Sequence, residues 1–94
     1  MKIPLSPKDD KTQKPPLQVT MRTREKLLYK GVATTVSSES ERGPFDILVS
    51  HANFISLIHT YVIIDHGLPT EQSFQMEKGV VYVASNKIDI YVGI

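Results

Sequence analysis

The sequence predicts an all-β domain, an antiparallel β-sandwich or flattened barrel of about eight to ten short strands over Leu17–Ile94. Three observations predict it. Apolar residues recur at every second position over short runs, which places one face of each run on a core. Turn-forming residues separate the runs at short intervals. No window of about eleven or more residues keeps the 3.6-residue period of a helix with one buried face.

Leu17, Val19 and Met21 alternate with Gln18, Thr20 and Arg22 in the first strand. Thr23–Lys26 is polar enough to be a turn. Leu27–Val36, rich in β-branched and aromatic residues, follows as one kinked strand or two short ones, with Gly31 where a bulge or a close backbone approach would fit. Ser37–Gly43 holds only polar residues and glycine, so it reads as the longest loop of the domain, closed by Gly43-Pro44. Phe45, Ile47 and Val49 resume the alternation. Ser50–Asn53 is turn-like, Phe54–Ile58 is a buried strand or a single helical turn, and Tyr61–Ile64 is strongly β-forming. Asp65-His66-Gly67 makes the next turn, because glycine accepts positive φ and aspartate can hydrogen-bond the backbone ahead of it. Gln72–Met76 forms a hairpin arm and Lys78-Gly79 interrupts it. Val80–Ala84 and Lys87–Val92 then flank Ser85-Asn86, a two-residue connection in which asparagine tolerates the left-handed conformation of a tight hairpin. The expected core is Phe45, Ile47, Phe54, Leu57, Val81, Val83, Ile88 and Ile90.

Composition narrows the function classes. With 94 residues, 40% of them hydrophobic, the chain has room for one core and little else. Met1–Pro16 carries four of the six prolines, four lysines and two aspartates without hydrophobic periodicity, and is expected to be a disordered tail or linker. The remaining residues hold seven basic and eight acidic side chains. Nucleic-acid binders neutralise phosphates with a strongly basic domain or stripe, so nucleic acid is not an expected partner. No apolar run approaches the roughly 18 residues of a membrane span, and Met1–Asp10 lacks the apolar segment of a secretory signal. Direct membrane insertion is therefore not expected, and the expected compartment is the cytoplasm. The absence of cysteine removes a disulfide framework, a zinc ribbon and a thiol nucleophile.

Ser50-His51 with Asp46 nearby supplies the ingredients of acyl transfer. Adjacent side chains on an extended chain point to opposite faces, however, and no glycine-rich nucleophile elbow surrounds the serine. His51, His59 and His66 follow one another at intervals that match no zinc pattern. No catalytic, metal or cofactor-binding residue is assigned, and an enzyme is not expected.

One motif is more specific. Gly43-Pro44-Phe45-Asp46-Ile47-Leu48-Val49-Ser50-His51-Ala52-Asn53-Phe54 resembles the stretch of ATP synthase epsilon subunits that runs glycine, variable, aromatic or leucine, Gly/Asp, aliphatic, Leu, Pro, variable, His-Ala. Leu28-Tyr29-Lys30-Gly31 is similar to that family's Tyr/Phe-x-Gly element. Gly79–Val83 with Asn86-Lys87-Ile88 is similar to its closing Gly-Gly-aliphatic hairpin. The resemblance, to the N-terminal β-sandwich domain of the epsilon subunit of rotary F-type ATP synthases, covers Leu17–Ile94. Three positions depart from it: Val49 stands where the family has proline, Lys78 replaces the first glycine of the pair, and Thr23-Arg24 replaces Thr-Pro. Family members generally continue into a C-terminal helical hairpin, so neither its regulation of the enzyme nor its ATP-binding motif is expected of the residues up to Ile94.

The resemblance implies a non-catalytic rotor component of the central stalk, which needs no cofactor. It would bind the gamma shaft and rest on the ring of membrane subunits, peripheral at the inner face of the membrane. Glu39, Glu41, Arg42 and Pro44 belong to the loop that approaches the polar loops of the ring in the family, and His51 and Ser56 to the face that meets gamma. A second reading is a stand-alone epsilon-like interaction module that binds another protein through the same face.

Overall fold

The computed structural model describes residues 16–49 and 53–93. These form seven strands: β1 (Leu17–Arg22), β2 (Leu27–Ala33), β3 (Thr35–Ser40), β4 (Gly43–Leu48), β5 (Phe54–Ile64), β6 (Gln72–Ala84) and β7 (Lys87–Val92). The expected tail over 1–16 lies, Pro16 apart, outside the described residues.

The strands make one continuous sheet in the order β2-β1-β7-β6-β5-β3-β4. Every neighbouring pair is antiparallel except β1 and β7, the first and last strands, which run parallel. A flat sheet would leave one face of this ribbon wet. Instead its inward face carries the entire core, from Leu17, Val19 and Met21 through Ile88, Ile90, Val81 and Val83 to Ile58, Val62, Ile64, Val36 and Ile47, all nearly free of solvent. Burying each such aliphatic side chain stabilises by about 1.5–3 kcal/mol, and only closure of the sheet on itself buries them all. Two edge-to-face aromatic contacts mark that closure. Tyr29, on the edge strand β2, meets Phe74 at the start of β6 with ring centroids 6.2 Å apart. Phe45, on the opposite edge strand β4, meets Phe54 at the start of β5 at the same distance. The predicted sandwich or flattened barrel is the observed architecture.

β5 and β6 are long enough to serve both layers, and they change layer at a bulge. His59 opposes Lys78 while Thr60 opposes Met76, which leaves Glu77 as an extra residue on β6. The extra residue reverses the inward parity, so that Phe74 and Met76 pack on the core before it and Val81 and Val83 after it. Thr60 itself has φ 78°, a left-handed backbone that a β-branched residue adopts only under strain. Its hydroxyl lies 2.8 Å from His59 Nδ1.

Several expectations are corrected here. The strands number seven among the described residues rather than about eight to ten, because the bulge carries β5 through His59-Thr60 and β6 through Lys78-Gly79 without a break. Ser37–Gly43 is not a long loop. Its first four residues are strand, and a two-residue turn at Glu41-Arg42 joins β3 to β4. Serine is readable as strand only once its hydroxyl has a partner. Ser37 Oγ donates to Asp46 Oδ1 at 2.6 Å, and Ser38 Oγ, on a residue 2% exposed, donates to the Tyr61 carbonyl at 2.6 Å. Leu57, expected in the core, is exposed, and Phe45 and Phe54 are only half-buried against it. Gly31 holds no bulge. A Cβ there would stand 3.1 Å from Tyr29 Oη, so the glycine leaves room for the Tyr29 ring to lie along its own strand and donate to the Val32 carbonyl at 3.1 Å. At the last hairpin the positive φ, 56°, falls on Ser85 and not on Asn86. Ser85 N–H donates to Asn53 Oδ1 at 2.8 Å, which ties that turn to the start of β5.

One side chain ties the β5–β6 connection to the rest of the sheet. Asp65, 6% exposed and at φ 56°, accepts from Thr34 N–H at 2.6 Å, Thr35 N–H at 3.3 Å and Thr70 Oγ1 at 2.6 Å. Its own N–H donates to the Thr35 carbonyl at 2.9 Å. Burial works against the charge. The hydrogen bonds from Thr70, Thr34 and Thr35 outweigh it and hold the carboxyl below the ordinary carboxylate range. One carboxylate thus staples the β2–β3 corner to the β5–β6 turn.

Candidate docking face

Paired positions on neighbouring strands share a face of the sheet. On the outward face Tyr82 lies opposite Ile55 on one side and Asp89 on the other, and Val80 lies opposite Leu57 and Tyr91. Ile55, Leu57, Val80, Tyr82 and Tyr91 therefore form one apolar strip across β5, β6 and β7. Ile55 is 66% and Leu57 65% exposed, and the two tyrosines meet edge to face with centroids 5.9 Å apart. Beyond the strip β1 contributes Thr20 opposite Asp89 and Arg22 opposite Tyr91. An apolar centre with a polar margin is the anatomy of a protein–protein interface rather than of a solvated sheet face.

Four of the residues expected to bind partners, Glu41, Arg42, Pro44 and Ser56, fall close to this strip. Glu41 and Arg42 occupy the exposed β3–β4 turn, where Arg42 N–H donates to Ser40 Oγ at 3.2 Å. Pro44 is exposed on β4, a sheet edge where a missing N–H costs no ladder bond. Ser56, which alternates with Ile55 and Leu57 and pairs with Val81 on the other face of the sheet, is half-buried and donates to the Leu57 carbonyl at 3.0 Å. Glu41, Arg42 and Ser56 line a cleft of about 290 Å³ together with Ile55 and Leu57. Arg42, Pro44 and Ser56 line a second of about 420 Å³ beside Phe54. Glu39 lies on neither. It is half-buried one residue before the end of β3, with Oε1 3.7 Å from His59 Nδ1, an ion pair only when the imidazole is protonated. His51 lies outside the described residues. Positions expected on two separate surfaces, Glu41 toward the ring and Ser56 toward the shaft, thus share one cleft.

Sequence reasoning missed the strip itself. In Phe54–Ile58 both faces of the strand are apolar apart from Ser56, and a core reading that takes Phe54 and Leu57 together ignores the alternation of the strand. The available signal was parity, since Ile58 and Phe54 cannot face inward together with Ile55 and Leu57.

The same surface offers little chemistry. Asp46 is engaged by the Ser37 hydroxyl, while Ser50 and His51 lie outside the described residues. Among the described residues no three His, Cys, Asp or Glu side chains stand close enough to hold a metal ion. Among the described residues, too, no helix is long and apolar enough to cross a membrane. A closed sandwich presenting an apolar strip beside a charged turn defines a protein-binding domain. The family model for the ATP synthase Delta/Epsilon chain beta-sandwich domain matches residues 16–93, and the chain belongs to that family.

Solved structures carry the same fold. One similar chain is in the cryo-EM structure of the Euglena gracilis mitochondrial ATP synthase, OSCP/F1/c-ring in rotational state 1, with TM-score 0.74 and 12% identity over 85% of this chain and 52% of that one. Another is in the central stalk/c-ring of the Tetrahymena thermophila mitochondrial ATP synthase, with TM-score 0.69 and 17% identity over 87% of this chain and 66% of that one. The present chain thus spans about half to two thirds of the chains it matches. No curated protein sequence matches it significantly.

Proposed function

We propose that this protein is a non-catalytic component of the central stalk of an F-type ATP synthase, docking on the gamma shaft and resting on the membrane ring. The observation that carries the reading is the exposed apolar strip Ile55-Leu57-Val80-Tyr82-Tyr91 on a domain of the Delta/Epsilon family. A joint that transmits torque needs a stiff body and a contact of on the order of 1,000 Å² or more. The continuous strand ladder supplies the stiffness. The strip supplies the desolvated centre of such a contact, with the Glu41-Arg42-Pro44 turn extending it toward the ring. In this role the protein is peripheral at the inner face of the membrane and uses no cofactor.

Leu57→Asp tests the reading. Its side chain touches solvent and not the core, so the melting temperature is expected to stay within a few degrees of wild type. A charge left unpaired in an interface is costly, so affinity for purified gamma subunit from the same source should fall by about a hundredfold in calorimetry. A bulky charged residue at Ser56 or His51 should act in the same direction. Unchanged affinity of the Leu57→Asp variant would remove the strip from the interface.

A further inference from the structure

The bulge that turns the sheet also builds a groove of about 410 Å³ between the β3–β4 turn and β6. Leu57, Ile58, His59 and the side-chain-free backbone at Gly79 line it, with Glu41 contributed by the β3–β4 turn and Glu77 by β6. Glu77 is the extra residue of the bulge, and bulges re-aim side chains in this way. Both carboxylates are exposed, and neither has a cationic partner among the described residues. Lys78 lines the groove as well but reaches salt-bridge distance of neither, and Glu39 faces His59 instead.

We infer that this groove receives an arginine or lysine side chain of the gamma shaft, its aliphatic stem lying on Leu57 and its cationic head held between Glu41 and Glu77. The inference rests on the stalk reading above. Two arguments on the molecule itself identify the occupant. An apolar surface between two carboxylates that have no cationic partner among the described residues complements a long side chain that is apolar along its stem and positive at its end, a match that neither an acidic nor a purely aliphatic group makes. Arginine fits best, because its planar fork can answer two carboxylates at once. Leu57 also belongs to the apolar strip, so a partner that covers the strip necessarily reaches the groove.

The test is a calorimetric titration of purified gamma subunit into wild type, Glu41→Gln, Glu77→Gln and the double variant, at two ionic strengths. Glu25→Gln, in the exposed β1–β2 turn, serves as the control. Both groove carboxylates are exposed, so all variants should fold, which their melting temperatures verify. The double variant is expected to bind at least about tenfold more weakly and to lose most of the salt dependence seen with wild type, whereas Glu25→Gln retains both. Wild-type affinity and salt dependence in the double variant would overturn the inference while leaving the stalk reading intact. Absence of wild-type binding would overturn both.

Discussion

Asp65→Ala is expected to destabilise the domain by roughly 3 kcal/mol or more, the largest single effect foreseen, because several costs fall on one residue. The change strips the acceptor from Thr34 N–H, Thr35 N–H and the Thr70 hydroxyl, three partly buried hydrogen bonds around a carboxylate that is itself buried. It also places alanine at φ 56°, a left-handed conformation that aspartate and asparagine tolerate better. In a domain this size about 1 kcal/mol moves the melting temperature by roughly 4–8 °C, so the variant should melt well over ten degrees below wild type. Asp65→Asn is the informative partner. Its carbonyl can accept both backbone N–H groups while its amide donates to Thr70 Oγ, so it should cost only about 1 kcal/mol. The two forms differ in acid. The folded carboxyl of Asp65 is lowered, so its ionised form contributes stability that is fully present above the ordinary aspartate value near pH 4 and is lost as pH falls through the folded value. Wild type should therefore lose stability below about pH 4 more steeply than Asp65→Asn. Parallel acid profiles would mean that the carboxylate charge takes no part in the staple.

The second large effect belongs to Gly79. A Cβ at that position would fall well inside van der Waals contact with the Tyr91 carbonyl oxygen, a backbone atom that cannot swing aside. Gly79→Ala must therefore push β6 and β7 apart where Gly79 pairs with Val92 and Gly93 N–H donates to the Lys78 carbonyl at 3.1 Å. Overpacking of this kind costs about 1–3 kcal/mol, and the upper part of that range is expected where the obstacle is backbone. Gly67, at φ 84°, offers the comparison, since a Cβ there meets nothing within 4 Å and the penalty of alanine is conformational alone, about 1 kcal/mol. Denaturant melts of the two variants would separate the causes. A Gly79→Ala midpoint no lower than that of Gly67→Ala would show that the strands accommodate the methyl group.

Much of the fold was legible because alternation is a direct imprint of a two-sided strand. The spacing of Leu17-Val19-Met21 and of Ile88-Ile90 puts one face of each strand on a core, and all five side chains are buried. The Asp65-His66-Gly67 turn was legible because its residues perform the turn chemistry themselves. What escaped depends on partners distant in sequence. Ser37 and Ser38 look like loop until Asp46 and the Tyr61 carbonyl are beside them. Lys78-Gly79 looks like an interruption until Tyr91 passes so close that only glycine fits. The docking strip was hidden for a related reason, since Ile55 and Leu57 have the composition of core residues and their outward direction follows from the parity of β5. The charged turn at Glu41-Arg42 was found through the resemblance, but its place beside Ser56 and Leu57 follows from the pairing of β3 with β5.

The most direct test of the stalk assignment is to purify the tagged protein from its own source under conditions that keep the rotary complex intact, and to quantify what accompanies it. Gamma and the membrane-ring subunits are expected in the eluate, with one gamma for each copy of the chain. Recovery without gamma, from cells in which the synthase itself is intact, would contradict the assignment and leave a Delta/Epsilon-type sandwich serving another partner.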